Sequence, residues 1–146
     1  KTKNVITIKK FWENLGMQVD ILSAKEHDRI LGITSHLPHL LAYSLVRTAM
    51  KTEKSMKSNI IKYSAGGFRD FTRITENNPN MWRDVFLANE KIIVELSKSL
   101  IKEIKEFGQD MTKKQSSKLH TKLNETRKVR KGIIKAKMAG KFIPND

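Results

Sequence analysis

The chain has 146 residues, with 29 Lys or Arg against 15 Asp or Glu and a formal charge of +14. That length suits one domain with a real core and is too short for two sizeable ones. With no cysteine there is no disulfide framework, no thiolate metal site and no thiol nucleophile, which fits a reducing compartment, and cytoplasm is the expected location.

The first residue is Lys1 rather than Met, and KTKNVITIKKFWENLGMQVDIL carries neither the apolar core of a signal peptide nor an unbroken apolar run of ~20 residues. No membrane partner is expected, and the chain reads as a piece of something longer. Basic charge often marks a nucleic-acid surface, and here it is concentrated at one end. From Asp110 to Asp146 there are eleven Lys or Arg residues against three acids. Those cations are spread along an expected helix, and Phe142 is the one aromatic there that could stack on a base. A solvated lysine-rich face, with no nucleic acid, is the expected reading.

Residues 5–15, VITIKKFWENL, place Ile8, Phe11, Trp12 and Leu15 three and four apart, which predicts a short amphipathic helix stopped by Gly16. Met17 to Leu22 alternates Met17, Val19 and Ile21 with polar residues and predicts one strand. A single strand needs a ladder partner, so this one is expected to belong to a larger α/β domain. Ser23 to Glu26 has capping-box spacing and predicts a helix start. The apolar series Ile30, Ile33, Leu37, Leu40, Leu41 and Val46 carries that helix to about Met50. Pro38 removes a backbone donor within it, so a kink is expected near His36.

Residues 51–59 read as a polar connector, IIKYS as one helical turn, and Ala65-Gly66-Gly67 as an interruption before a short helix carrying Arg69, Asp70 and Arg73. From Asn78-Pro79 the stripe Trp82, Val85, Phe86, Ile92, Ile93, Leu96, Leu100 and Ile104 predicts the strongest helix, ended by Gly108. A last helix from about Met111 to Lys137 follows, and Gly140 and Pro144 mark an irregular tail. Helices of ~25 to 30 residues extend ~40 Å, more than one compact copy covers well, so a homodimer through the helices is expected.

Three of the four histidines, His27, His36 and His39, fall within EHDRILGITSHLPH, residues 26–39. A metal site is not the favoured reading, because His27 faces nearly opposite His36 on an ideal helix and no second carboxylate has suitable spacing. In AGGFRDFTRI, residues 65–74, Gly66-Gly67 permits close backbone approach. Arg73 there offers a planar donor fork for a carboxylate or for Asp70. No phosphate loop follows a strand, there is no GxGxxG, and no Ser/His/Asp signature is present.

Taken in order, EHDRI…SHLPHLLAYSL, AGGFRDFTRI and NPNMWRDVFLAN resemble the C-terminal helical half of prephenate dehydrogenase and its arogenate-using relatives, the enzymes of tyrosine biosynthesis. Arg127-Lys-Val-Arg130-Lys-Gly132-Ile-Ile is similar to the ending of many bacterial members. The resemblance implies a mainly α fold, a long-helix bundle of the 6-phosphogluconate-dehydrogenase C-terminal type, with a short Rossmann-type remnant in front. Residues 1–23 would be that remnant and 24–146 the dimerisation and substrate-binding domain.

The family oxidatively decarboxylates prephenate to 4-hydroxyphenylpyruvate with NAD or NADP. Its dinucleotide fingerprint and catalytic histidine belong to the N-terminal domain, so no catalytic residue is expected here and the chain alone is expected to be inactive. The resemblance assigns His39 and Arg73 to substrate carboxylates, Gly66 to close backbone approach and Trp82 to an apolar wall. His36 would shape the kinked joint, Asp70 a charged network at the entrance, and His27 the linking helix. The competing expectation is a non-enzymatic oligomerisation module whose basic helix meets an acidic partner.

Overall fold

A computed structural model describes residues 2–135. The chain divides into two compact units, Lys1–Leu96 and Ser97–Asp146. The described residues of both are helical or irregular, with no strand among them.

In the first unit, α1 (Lys3–Asn14) ends where Gly16 turns the chain with φ +83°, and α1 buries no residue. The expected strand at Met17 to Leu22 is irregular. This is a correction, and its reason is the one that made a lone strand suspect: the described residues hold no second strand to take up its backbone groups, and the expected ladder partner lay outside this sequence.

The capping box at the start of α2 (Ala24–Leu31) is formed. Ser23 N–H donates to Glu26 Oε2 at 2.9 Å, and Glu26 N–H donates to Ser23 Oγ at 3.3 Å. The Ser23 hydroxyl and backbone bonds hold the Glu26 carboxyl below its usual range. A π-helical turn, Gly32–His36, separates α2 from α3 (Leu37–Met56), and Leu37 N–H reaches back five residues to Gly32 O. The expected kink near His36 therefore takes the form of one widened turn, which accommodates the missing donor and bulky ring of Pro38.

Helix α3 runs to Met56, through most of the stretch expected to be a connector, because Lys, Glu and Met are good helix formers. Lys57 then takes a left-handed conformation, φ +49°, and ends it. A 3₁₀ turn at Ile61–Tyr63 leads to α4 (Gly66–Thr72), and another at Arg73–Glu76 follows. Gly66 opens α4 rather than interrupting a helix. Helix α4 and both 3₁₀ turns pack against α3.

Asn78 caps α5 (Pro79–Ala88), its Oδ1 accepting from Asn80 N–H at 2.9 Å, with Pro79 preset for the first turn. The single helix expected from here breaks at Asn89, φ −112°, and α6 (Glu90–Thr112) begins at once. The buried apolar residues of the unit are Leu37, Ala42, Trp82 and Ile93. Gly32 seats α6 closely, since a Cβ there would lie 2.8 Å from Ile92 Cγ2 and 3.1 Å from Leu96 Cδ1.

In the second unit, α6 passes through Gly108 and stops only at Thr112. Lys114 adopts φ +52° and Gln115 N–H returns to Asp110 O at 2.9 Å, so the turn falls later than Gly108 suggested. Helix α7 (Ser116–Lys135) completes a hairpin. Asp110, 2% exposed, takes Lys118 Nζ on Oδ1 at 2.8 Å and Lys122 Nζ on Oδ2 at 2.9 Å. Lys122 also lies 4.9 Å from the Phe107 ring centre. The hydrogen bonds of both lysines hold the Asp110 carboxyl below its usual range, and Asp110 in turn raises Lys122. The last residues of the expected final helix and the Gly140 to Pro144 tail lie outside the described residues. No helix among the described residues is long and apolar enough to cross a membrane.

Candidate functional site

Helices α3 and α5 bring aromatic rings together because each repeats its ring-bearing residues at helical spacing. His39 and Tyr43 are four apart on α3, His36 stands three before His39 at the end of the π turn, and Trp82 and Phe86 are four apart on α5. The His39 imidazole stacks on the Trp82 indole, with ring centres 3.5 Å apart and planes 20° from parallel. His36 meets the same indole edge-on at 6.3 Å, Phe86 lies 5.6 Å from it, and Tyr43 meets Phe86 edge-on at 6.4 Å.

Each imidazole is held by a different neighbour. His39 Nδ1 lies 2.9 Å from the carbonyl of Ser35, which can only accept, so Nδ1 carries the proton and Nε2 presents a lone pair. Asn77 Nδ2 approaches that lone pair at 3.5 Å while donating to Ile74 O at 2.8 Å. His36 Nδ1 is 3.1 Å from Asn89 Nδ2, which also donates to Asp28 O at 2.8 Å. Burial holds the His36 pKa below its ordinary 6.5. Asp28 opposes that shift, and His27 and His39 reinforce it.

A groove of about 430 Å³ opens beside this cluster, lined by Tyr43, Pro79, Trp82, Arg83, Phe86 and Leu87. The Tyr43 hydroxyl and the Trp82 indole nitrogen are buried with no hydrogen-bond partner among the described residues. Leaving such a donor unmet costs about 1–3 kcal/mol each. Two unmet donors in one aromatic cluster mark a place where an acceptor from outside the chain gains free energy. What the arrangement offers chemically is a flat apolar wall, two imidazoles held by hydrogen bonds and two donors. It offers no nucleophile with an adjacent base.

His39, Trp82 and His36 are thus brought together. Arg73 opens the 3₁₀ turn packed on α3; it is exposed and engaged in an interaction of its own. The segment after that turn carries Asn77 back to His39. Gly66 and Gly67 lie at the start of α4 with open space where a Cβ would project, so no neighbour among the described residues requires glycine there. Asp70 is exposed on α4. His27 does not join the cluster: it is exposed on α2, with Nδ1 3.1 Å from the neighbouring Asp28 carboxylate.

Asn89, Gly32, Tyr43 and Asn77 are contributors that the sequence reading did not single out. A polar Asn89 inside the apolar stripe VFLANEKII was the available signal for a helix break. Gly32 within a helical run was the signal for a close crossing. Tyr43 stands four residues after His39, which was its signal; nothing in the spacing marked Asn77.

A family model described as "Prephenate dehydrogenase, dimerization domain" matches residues 23–125, beginning at the Ser23 cap. Cyclohexadienyl dehydrogenase of Zymomonas mobilis is 33% identical over 123 residues, covering 84% of this chain and 42% of that protein. Prephenate dehydrogenase of Lactococcus lactis is 34% identical over 127 residues, covering 86% and 35% respectively. The chain therefore spans less than half the length of these relatives. Among solved structures, prephenate dehydrogenase of Aquifex aeolicus in complex with hydroxyphenyl propionate and NAD+ superposes with a TM-score of 0.85 at 32% identity. That match covers 91% of this chain and 46% of that one. Synechocystis arogenate dehydrogenase, at 18% identity and a TM-score of 0.74, shares the fold.

Proposed function

The chain belongs to the prephenate dehydrogenase family, by its dimerization domain, and from that premise we propose that it is the helical part of an enzyme that oxidatively decarboxylates prephenate or arogenate in the cytoplasm. In this reading it supplies the dimer interface and one wall of the substrate site. Residues 1–23 belong to the neighbouring nucleotide-binding domain. The bare apolar face of α1, with Ile8, Phe11, Trp12 and Leu15 all exposed, supports that assignment, because such a face needs a covering layer.

The observation that carries the substrate reading is the His39–Trp82 stack beside two unmet buried donors. A ring-bearing dianion suits that surface: the indole packs on the ring, and His39 and Arg73 supply charge-assisted donors for carboxylates once His39 is protonated. Gly66, with open space around it, leaves backbone accessible at the α4 start, and Asp70 adds charge on the same short helix. His36 holds the edge of Trp82, and His27 belongs to the linking helix.

NAD or NADP is the family's oxidant, and NAD+ is present in the Aquifex relative's structure. The described residues of this chain do not fit a dinucleotide, since they contain no strand, no glycine-rich turn after one and no helix N-terminus in that setting. The cofactor is assigned to another part of the enzyme. A homodimer is supported by large apolar side chains left bare on α6 and α7, among them Ile101, Ile104, Leu123 and Val129.

The test is direct. The 146-residue chain should sediment as a dimer and should not reduce NAD in the presence of prephenate. In a Trp12→Phe background, hydroxyphenyl propionate should change Trp82 fluorescence. His39→Ala and Arg73→Ala should each weaken that binding about tenfold or more, the worth of one charge-assisted bond. Binding unaffected by either change would remove the substrate assignment.

A further inference from the structure

We infer that Asn89 is a positioning residue: it ties the break between α5 and α6 to the widened turn opposite, and holds His36 as the neutral Nε2–H tautomer. This deepens the substrate-site reading and rests on it only where a ligand is concerned.

The geometry leaves the Asn89 amide little choice. Asn89 is 9% exposed, and its side chain faces two acceptors at once. Asp28 O, at 2.8 Å, can only accept, so the amide nitrogen and not the oxygen must point there. The second hydrogen of the same nitrogen is directed at His36 Nδ1, 3.1 Å away, which must then hold a lone pair. The ring proton therefore resides on Nε2, which has no hydrogen bond to the described residues. Reversing the amide to suit a protonated Nδ1 would set its oxygen against the Asp28 carbonyl, so the Asp28 bond locks the tautomer.

The placement explains why this residue stands where two helices are interrupted. Helix α5 ends at Asn89, and the π turn Gly32–His36 lies across from it. Gly32 admits Ile92 and Leu96 within contact distance, which brings the two interruptions to the same level. The groups around the ring are Asp28 and His27 on α2, His39 on α3 and the Trp82 indole on α5. Burial favours the neutral ring, in keeping with the tautomer the amide requires. The consequence is a His36 that donates from Nε2 at the edge of Trp82 and cannot accept there.

Long-range ¹H–¹⁵N correlation spectra of the 146-residue chain, with His36 assigned through His36→Gln, decide the point. The wild type should show His36 as the Nε2–H tautomer; an Nδ1–H signature would overturn the inference without any variant. Asn89→Asp keeps the size of the side chain but replaces the donor by an acceptor. His36 should then become easier to protonate, its titration moving up by about one unit or more, as for an imidazole beside a carboxylate. An unchanged titration in a folded Asn89→Asp chain also overturns the inference. Addition of hydroxyphenyl propionate separates the two readings. A shift of the His36 Nε2 resonance supports both, whereas absence of any binding counts against the substrate site while the tautomer spectrum still decides the role of Asn89.

Discussion

The two units bury polarity in opposite ways. In Lys1–Leu96 the buried polar groups are neutral: an asparagine amide shared between a carbonyl and an imidazole. In Ser97–Asp146 the buried group is a carboxylate with a lysine on each oxygen. An ion pair of that kind fixes the hairpin through three side chains, with each carboxylate oxygen facing a lysine. A neutral joint is weaker and leaves ring nitrogens and indole donors unspent. The unmet neutral donors, Tyr43 and Trp82, line the groove of the unit that carries the candidate site.

The difference can be broken most forcefully at Trp82. Trp82→Ala should cost about 3–5 kcal/mol, because it removes the buried ring on which His39, His36 and Phe86 all converge. Hydrogen exchange should show lost protection in α3 and α5, while the α6–α7 hairpin around Asp110 keeps its own. Equal loss in both units would mean that they are not separate in stability. Urea unfolding at fixed protomer concentration gives the magnitude.

Gly32→Val should come next, at about 1–3 kcal/mol, since its side chain must displace Ile92 or Leu96. Combined with Ile92→Ala, the two changes should be non-additive by about 0.5 kcal/mol or more, the signature of a shared contact. Additive effects would show that the crossing at Gly32 is not tight. Ser23→Ala should cost about 1 kcal/mol by opening the capping box, and should leave the hairpin unchanged.

The smallest effect in amplitude separates the units by sign and range of pH. His36 has a folded pKa below 6.5, so its contribution is fully present above 6.5 and is lost as pH falls from there toward the folded value. Asp110 lies below its ordinary 3.8, so its contribution is present above 3.8 and is lost only as pH falls through the lower folded value. Lys122 lies above 10.5, so its share is present below 10.5 and is lost as pH rises through the raised value. Thermal melting followed with pH should therefore soften the first unit below about 6.5, before the hairpin responds. His36→Gln should erase the first step and Asp110→Asn the last; a single acid transition for both would remove the distinction.

Much of this fold was legible before any coordinates. Apolar spacing marked α1, α3, α5 and α6, and the Ser23 box and Asn78-Pro79 marked two starts, because caps and stripes are local properties of a helix. The His36 joint was legible for the same reason, since Pro38 acts on its own preceding turn. The strand at Met17 to Leu22 was misread because strand pairing is non-local: alternation shows what a strand would bury, not whether a partner exists. Gly108 was misread because a helix interior tolerates glycine at a cost of about 1 kcal/mol when the following residues still extend it.

Of the site, SHLPH, AGGFRDFTRI and NMWRD were legible as motifs with His39, Arg73 and Trp82 in them, whereas the stacking of His39 on Trp82 is a property of the folded chain. Asn89, the last residue of NPNMWRDVFLAN, went unnoticed, since an asparagine at the end of a helix says nothing of which carbonyl it will find 61 residues away. The sequence by itself determined the helices, their caps, the family likeness and the residue types of the site, all of which depend on neighbours a few positions apart. Only the tertiary structure decided that two interruptions in different helices face each other across Asn89, that Asp110 is sealed by two lysines, and that the Asn89 amide reaches His36 Nδ1. Those depend on distances between segments remote along the chain, which no local pattern records.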